Sequence, residues 1–373
     1  MGFTCGIVGL PNVGKSTIFN ALTSGGAASA NFPFCTIEPN TGTVSVPDLR
    51  LVKLSEIGKS EKIIPTQITF VDIAGLIRGA SKGEGLGNQF LGHIRAVDAI
   101  AHVVRCFDDE NIIHVEGSVG PKRDIETIET ELIYADLESV EKQLDRIQKA
   151  ARTGDKEAKA KADIFTALSD LLGKGKLASS IDKSAYEPEV LTPILSQLMT
   201  SKPVLFVANV EESIAGETLD NAAKKNKLIA EVLSAAKERG AQVVLVSGQV
   251  EAEISEMPES ERKDYLEALG LQQSGLERLI LAGYKTLGLI TFFTCGPKET
   301  RAWTVAEGAK APEGAGQIHT DFIKNFIRAE VTAYEDYVGF GGEVKAKEAG
   351  KMRVEGKEYV MKDGDVVYFR IGG

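Results

Sequence analysis

Short apolar runs rich in β-branched residues alternate along the chain with stretches whose apolar positions recur every three or four residues. That alternation predicts an α/β domain built on a doubly wound, mostly parallel sheet. The runs are Cys5–Gly9, Gln67–Ile73, Ala99–Phe107, Pro203–Ala208 and Gln242–Ser247. Helical patterns fall between or after them, over roughly 16–22, 48–58, 86–97, 218–239 and 274–286. Far more chain than one crossover needs separates the third run from the fourth. Within it Ile133, Leu137, Val140, Leu144, Ile147 and Ala151 are spaced alternately by four and three, the seam of a coiled coil. After the polar break Arg152-Thr153-Gly154-Asp155, Ile164, Leu168, Leu171 and Leu172 form a second helical face. Together they predict an antiparallel helical hairpin projecting from the sheet domain, with a pair of core helices as the plainer alternative.

From about residue 288 the texture changes. A strand at Leu289–Phe293 leads into a Gly/Pro/Ala-rich loop, one helix near 319–328, and strands near 351–354, 357–360 and 365–370, the last preceded by an Asp363-Gly364 turn. The expected organisation is therefore a sheet domain in two parts, 1–125 and 201–287, a coiled-coil insertion at 126–200, and a small α+β domain at 288–373.

Composition narrows the function classes. With 43% hydrophobic and 26% charged residues over 373 positions, the chain is an ordinary globular protein. A net charge of −10 argues against a protein that coats nucleic acid, although residues 288–373 are nearly neutral and leave room for a local RNA contact through that domain or the hairpin. No apolar run approaches a membrane span, and Gly6 stands where a myristoylation signal needs Ser or Thr, so no membrane partner is expected. The four cysteines are scattered, which fits a reducing cytoplasm and neither zinc nor a disulfide framework.

The strongest chemical signal is Gly9-Leu10-Pro11-Asn12-Val13-Gly14-Lys15-Ser16, a G-x-x-x-x-G-K-S loop between strand and helix. Its backbone N–H groups, including those of Val13 and Gly14, point at phosphate oxygens, helped by the helix N-terminus. Lys15 is expected to reach the β- and γ-phosphates, the Ser16 hydroxyl to ligate Mg²⁺, and Thr17 to contact the α-phosphate. Asp72-Ile73-Ala74-Gly75 closes the second run. Asp72 is placed to hold a Mg²⁺-bound water, and the Gly75 N–H to approach the γ-phosphate. A third segment, Asn31-Phe32-Pro33-Phe34-Cys35-Thr36-Ile37-Glu38-Pro39-Asn40-Thr41-Gly42, offers Thr36, Thr41 and Thr43 nearby as further Mg²⁺ hydroxyls. It resembles the F-P-F-x-T switch loop of Obg-type proteins, which implies Thr36 as the ligand.

At the base end a guanine site normally carries N-K-x-D. Here the fourth run leads into Asn209-Val210-Glu211-Glu212, which puts Val210 where the lysine stem would cover the purine and Glu212 where the aspartate would read guanine. Losing such a buried reader can cost up to roughly 10⁴ in discrimination, so the sequence favours ATP. Asn209 keeps the N7 edge, and Ser247-Gly248-Gln249 is a loose match to the usual S-A-K base loop, with Ser247 as its contact.

Leu76 stands where Ras-like switches carry the water-orienting glutamine, so another group must act. Two candidates remain open. Asn12 resembles the asparagine that helps bind K⁺ in cation-activated relatives. His114, in the polar loop 108–123, could swing in to orient water, its plainer reading being a solvated loop histidine.

Taken together, these motifs resemble the YchF family of Obg-like ATPases over essentially the whole chain. Phe292-Phe293-Thr294-Cys295-Gly296-Pro297-Lys298-Glu299 and Gln317-Ile318-His319-Thr320-Asp321-Phe322 are similar to its C-terminal β-grasp-like TGS domain. The resemblance implies a Mg²⁺-dependent ATPase with residual GTP binding, associated with the large ribosomal subunit or the 70S ribosome and acting as a switch in translation or stress regulation. Three other readings share some of these features: a GTP-preferring Obg-type assembly factor, a nucleotide-binding scaffold without hydrolysis, and a metabolic kinase, for which no second substrate pocket is evident.

Overall fold

The computed structural model describes residues 3–25, 41–74, 86–153 and 155–372. Its strands are β1 (Thr4–Val8), β2 (Thr41–Ser45), β3 (Ile63–Ile64), β4 (Gln67–Asp72), β5 (Ala99–Arg105), β6 (Val204–Asn209), β7 (Gln242–Val246), β8 (Leu289–Cys295), β9 (Thr300–Ala306), β10 (Phe326–Ala333), β11 (Arg353–Glu355) and β12 (Asp365–Ile371). Contacts divide the chain into two compact units, Phe3–Gly42 with Thr69–Leu279, and Thr43–Ile68 with Ile280–Gly373.

The first sheet has the order β2-β4-β1-β5-β6-β7. β1 runs parallel to both β4 and β5, and β5, β6 and β7 continue in parallel. The chain order reverses beside β1, and in such sheets ligands bind outside the carboxyl ends of the strands at that point. Every residue of β5 is buried, which is why the strand reads as a mostly apolar run. His102 sits inside it, 5.5 Å from the Phe206 ring, and burial pushes its pKa down to about 3.

The helical insertion is a pair formed by a 32-residue helix, Pro121–Arg152, and the helix Lys156–Gly173. Pro121 starts the first, where its missing N–H costs nothing, and Asp155 caps the second by accepting from Glu157 and Ala158 N–H. Along the long helix the two sequence alternatives meet. Its first half buries Ile125, Ile128 and Leu132, whereas Ile133 and Val140 pack with Ile164, Leu168 and Leu172 of the return helix. Leu144 and Ile147, farther out, are only half-buried. The fully buried Asp136 accepts from Met199 N–H (3.0 Å), Thr200 N–H (2.7 Å) and the Thr200 hydroxyl (2.7 Å), tying the returning chain to the long helix.

The second unit departs most from the sequence reading. Its sheet has the order β11-β10-β12-β8-β9-β3, with β8 and β9 antiparallel and β12 parallel to β8. The segment at 43–68, expected within the first domain, belongs here: β3 pairs in parallel with β9, and Leu51 and Leu54 of the helix Leu49–Gly58 pack with Phe293, Ala302 and Tyr337. Amphipathicity predicts a buried face but not which sheet receives it. The helix expected near 319–328 ends at Lys324, and β10 begins at Phe326, whose ring joins the core of this unit. A helix, Ala311–Ile318, forms inside the expected loop despite Gly314 and Gly316. A Cβ at Gly314 would lie 3.4 Å from Met361 and Phe369, so the small residue permits close packing there. Among the described residues, no helix is long and apolar enough to cross a membrane.

Candidate functional site

A cavity of about 1050 Å³ lies in the first unit, lined by Asn12, Gly14 and Thr17, by residues 209–213, by 247–249, and by two walls at 107–112 and 268–270. The phosphate loop enters it from β1, and the helix Lys15–Gly25 leaves it. Two positions on the loop take positive φ, Asn12 at 62° and Gly14 at 91°. Asparagine tolerates that region; at Gly14 the requirement is absolute, because a Cβ would lie 2.1 Å from Asn209 Nδ2. Val13 is buried beneath the loop, and Ser16 and Thr17 are exposed at the helix start. Lys15 is 8% exposed, and its Nζ donates to Asp72 Oδ1 at the end of β4. The structure thus brings Lys15 and Asp72 together at one point, beside the Ser16 hydroxyl in sequence. Thr36, Gly75 and Leu76 lie outside the described residues.

Asn209 closes β6 and binds two loops at once. Its Nδ2 donates to Val13 O at 2.9 Å, and its Oδ1 accepts from Gly248 N–H at 3.0 Å. The amide holds the phosphate loop against the base loop. Ser247 is 2% exposed, lines the cavity, and its hydroxyl has no partner among the described residues. Such an orphaned hydroxyl at a cavity wall is a ready ligand contact. Glu212 lines the same end and is exposed. Val210 differs from expectation: it reaches the cavity wall, yet it is 3% exposed and packs in the domain core with Cys106, Ala222 and Leu245. It belongs to the floor more than to a flap over the base.

Behind the base loop, Glu251 is buried and accepts from Gly275 N–H at 2.6 Å, while its Oε2 has no partner among the described residues. Burial pushes its carboxyl up to about 6.

The wall at 107–112 escaped the sequence reading, and one side chain builds it. Arg105 is 1% exposed and sends Nε to Phe107 O (3.0 Å), Nη1 to Ile112 O (2.9 Å) and Nη2 to Asp109 O (3.2 Å). Its guanidinium also lies 4.6 Å from the Phe107 ring centroid. The available signal was an arginine closing a mostly apolar strand, since a buried guanidinium must find several acceptors. One residue beyond this wall, Ile113 O accepts from Asn12 Nδ2 at 3.1 Å, and Asn12 itself is exposed. His114 is not the solvated loop residue of the plainer reading. It is 6% exposed, its Nε2 lies 2.9 Å from Asp124 Oδ2, and it does not line the cavity.

The donors at the phosphate end suit a hard cation: a carboxylate with one oxygen beyond the Lys15 contact, and an exposed hydroxyl. Among the described residues there is no group of three or more His, Cys, Asp or Glu that could hold a metal.

A glycine loop opening a helix at the carboxyl edge of a parallel sheet, tied to a base loop through one asparagine, places the first unit among the P-loop nucleoside triphosphatases of the GTPase type. The comparisons with known proteins agree and go further. A family model described as 50S ribosome-binding GTPase matches residues 4–140, and the YchF-GTPase_C model, described as a protein of unknown function, matches residues 289–372. The chain is 52% identical over 369 residues to the ribosome-binding ATPase YchF of Escherichia coli O157:H7, covering 99% of both. It is 52% identical over 370 residues to the protein of that name from Bacillus subtilis (strain 168), again covering 99% of each. The structure of the Schizosaccharomyces pombe YchF GTPase is similar with a TM-score of 0.86 at 40% identity, covering 99% of this chain and 98% of that one. The chain belongs to the YchF family.

Proposed function

We propose that this chain binds ATP with Mg²⁺ in the cavity, hydrolyses it slowly to ADP and phosphate, and uses the difference as a switch on ribosomal particles. The observation that carries the choice of base is the end of the cavity beyond Asn209, where Glu212 takes the place of the guanine-reading aspartate and Val210 lies in the core. Guanine needs a short acceptor aligned with its N1–H and 2-amino group; adenine needs neither. The second Asn209 N–H is the proposed donor to N7, the Ser247 hydroxyl offers a second polar contact, and Phe107 would supply an aromatic wall for the purine.

At the other end Lys15 leaves Asp72 for the β- and γ-phosphates, and the backbone of 12–14 with Thr17 holds the rest of the chain of phosphates. Ser16, Thr36 and Asp72 are the proposed Mg²⁺ residues, and Gly75 the proposed γ-phosphate contact. Mg²⁺, when bound, would neutralise charge on the β- and γ-oxygens. The Asn12 carbonyl oxygen is a proposed K⁺ ligand, and a K⁺ ion there would offset charge developing between those phosphates. The ribosomal assignment rests on the names of the relatives, and the hairpin at 126–200 and the domain at 288–373 are its proposed contact parts.

Phosphate release tests the reading. With ATP, Mg²⁺ and K⁺, turnover near the unaided Ras-type rate of about 10⁻⁴ s⁻¹ is expected, rising when ribosomes are added. Na⁺ at matched ionic strength should give less, and Asn12→Gly, which keeps the positive φ while removing the amide, should erase the difference. Equal rates in both salts would remove the cation from the account. No release with or without ribosomes would leave a nucleotide-binding scaffold.

A further inference from the structure

The cavity wall at 268–270 is not held by the helix that delivers it. That helix, Glu259–Ala268, has no buried residue, and the wall lies at its C-terminal end. The fixed points come later in the chain. Leu271 is 5% exposed, and the helix Gly275–Thr286 begins shortly after it, with the Ser274 hydroxyl accepting from Glu277 N–H at 3.0 Å. The Gly275 N–H, in the first turn of this helix, needs a partner from elsewhere. Glu251 supplies it: Oε1 accepts at 2.6 Å, where a carboxylate also suits the helix N-terminus. The approach is tight, since a Cβ on Gly275 would lie 2.9 Å from Oε1 and 3.2 Å from Val246 Cα.

Glu251 belongs by its backbone to the base loop. Its N–H donates to Ser247 O at 3.0 Å, one turn into the helix Gly248–Glu256. Ser247 is the N-cap residue of that helix, yet its hydroxyl makes no capping bond and lines the cavity. One side chain therefore reaches from the base loop to the segment that anchors the wall. The opposite side of the wall is packed as closely, because a Cβ on Gly216 would lie 2.8 Å from Leu269 O. Glu251 is 2% exposed, and its Oε2 has no partner among the described residues. A buried carboxylate with an oxygen left over is a costly tie, which points to a use beyond packing.

We propose that Glu251 is a positioning residue for the base: by fixing the start of the helix at Gly275 it holds the wall at 268–270 and sets the width of the cavity end that takes the purine. This rests on the nucleotide reading above and adds to it a residue that touches no ligand.

The test measures two ligands on the full chain with Mg²⁺: ATP, and inorganic tripolyphosphate, which fills the phosphate end alone. Glu251→Met has similar length and no acceptor. In it ATP affinity should fall about tenfold, the scale of one buried N–H left unpaired, with tripolyphosphate affinity unchanged. Glu251→Gln keeps an acceptor oxygen and should recover most of the loss. Gly275→Ala attacks the same contact from the wall side, and combining it with Glu251→Met should cost no more than the larger single loss. Without nucleotide, amide exchange should quicken over 268–276 in Glu251→Met and stay at the parent's rate over β6. Equal losses for the two ligands overturn the proposal, as does parent-like ATP affinity in folded Glu251→Met. If Glu251→Met does not fold, parent-like ATP affinity in Gly275→Ala overturns it alone. Glu251→Gln as weak as Glu251→Met also overturns it. A parent that binds neither ligand would overturn the nucleotide reading itself, whereas unchanged binding of both ligands in every variant overturns only the role of Glu251.

Discussion

Lys15→Ala should lower ATP turnover by at least roughly 10²–10³-fold, the loss seen when one preorganised charge-stabilising donor is removed from a reacting centre. Lys15 is the cation of the phosphate loop, and it is nearly buried against Asp72, so no neighbouring water replaces it easily. Because the role proposed for the ammonium is at the β- and γ-phosphates, ATP affinity should fall more than ADP affinity. That difference separates loss of a phosphate contact from general damage, since removing Lys15 also strips Asp72 of its partner. Titration of each variant with ATP and ADP, together with single-turnover phosphate release, reads both quantities. Unchanged turnover would mean that the phosphates lie elsewhere.

Gly14→Ala should have an effect of comparable size through a different cause. The residue holds φ at 91°, and its Cβ would overlap Asn209 Nδ2. Moving Asn209 away breaks both the bond to Val13 O and the bond from Gly248 N–H. Backbone strain and two buried hydrogen bonds sum to about 3 kcal/mol or more of lost stability in the first unit. Nucleotide affinity should fall with it, because the phosphate loop and the base loop lose their common tie. Urea unfolding followed through the first unit, with and without ATP, measures both losses. A variant as stable as the parent and binding ATP normally would contradict the role assigned to Asn209.

The phosphate end of this site was legible because its motif is local: Gly9 to Ser16 are contiguous, and the strand before and helix after them are strongly patterned. Asp72 was legible for a similar reason, as the polar residue ending an apolar run. What the sequence could not show were arrangements set by tertiary packing. Arg105 reads as one odd residue in a strand until its three carbonyl acceptors on the following loop are in view. His114 reads as a solvated histidine because nothing local says that Asp124, ten residues on and in a helix, lies against it. The helix at 49–58 has a clear apolar face, but two sheets compete for it, and pairing of Ile63–Ile64 with β9 goes with its placement on the second. In the second unit, Gly314 and Gly316 suggest a loop on propensity alone, and packing against Met361 and Phe369 overrides that preference.

The choice of base is the centre of the functional account, and competition between ATP and GTP for the full chain, with Mg²⁺ present, tests it most directly. Val210 is a poor site for restoring the guanine-type lysine, since a charge there would enter the domain core. Glu212 is exposed at the cavity mouth, so Glu212→Asp is the clean companion variant. The account predicts that ATP displaces GTP at the lower concentration in the parent and that the margin narrows in Glu212→Asp. GTP binding as tightly as ATP, or more tightly, in the parent would contradict it.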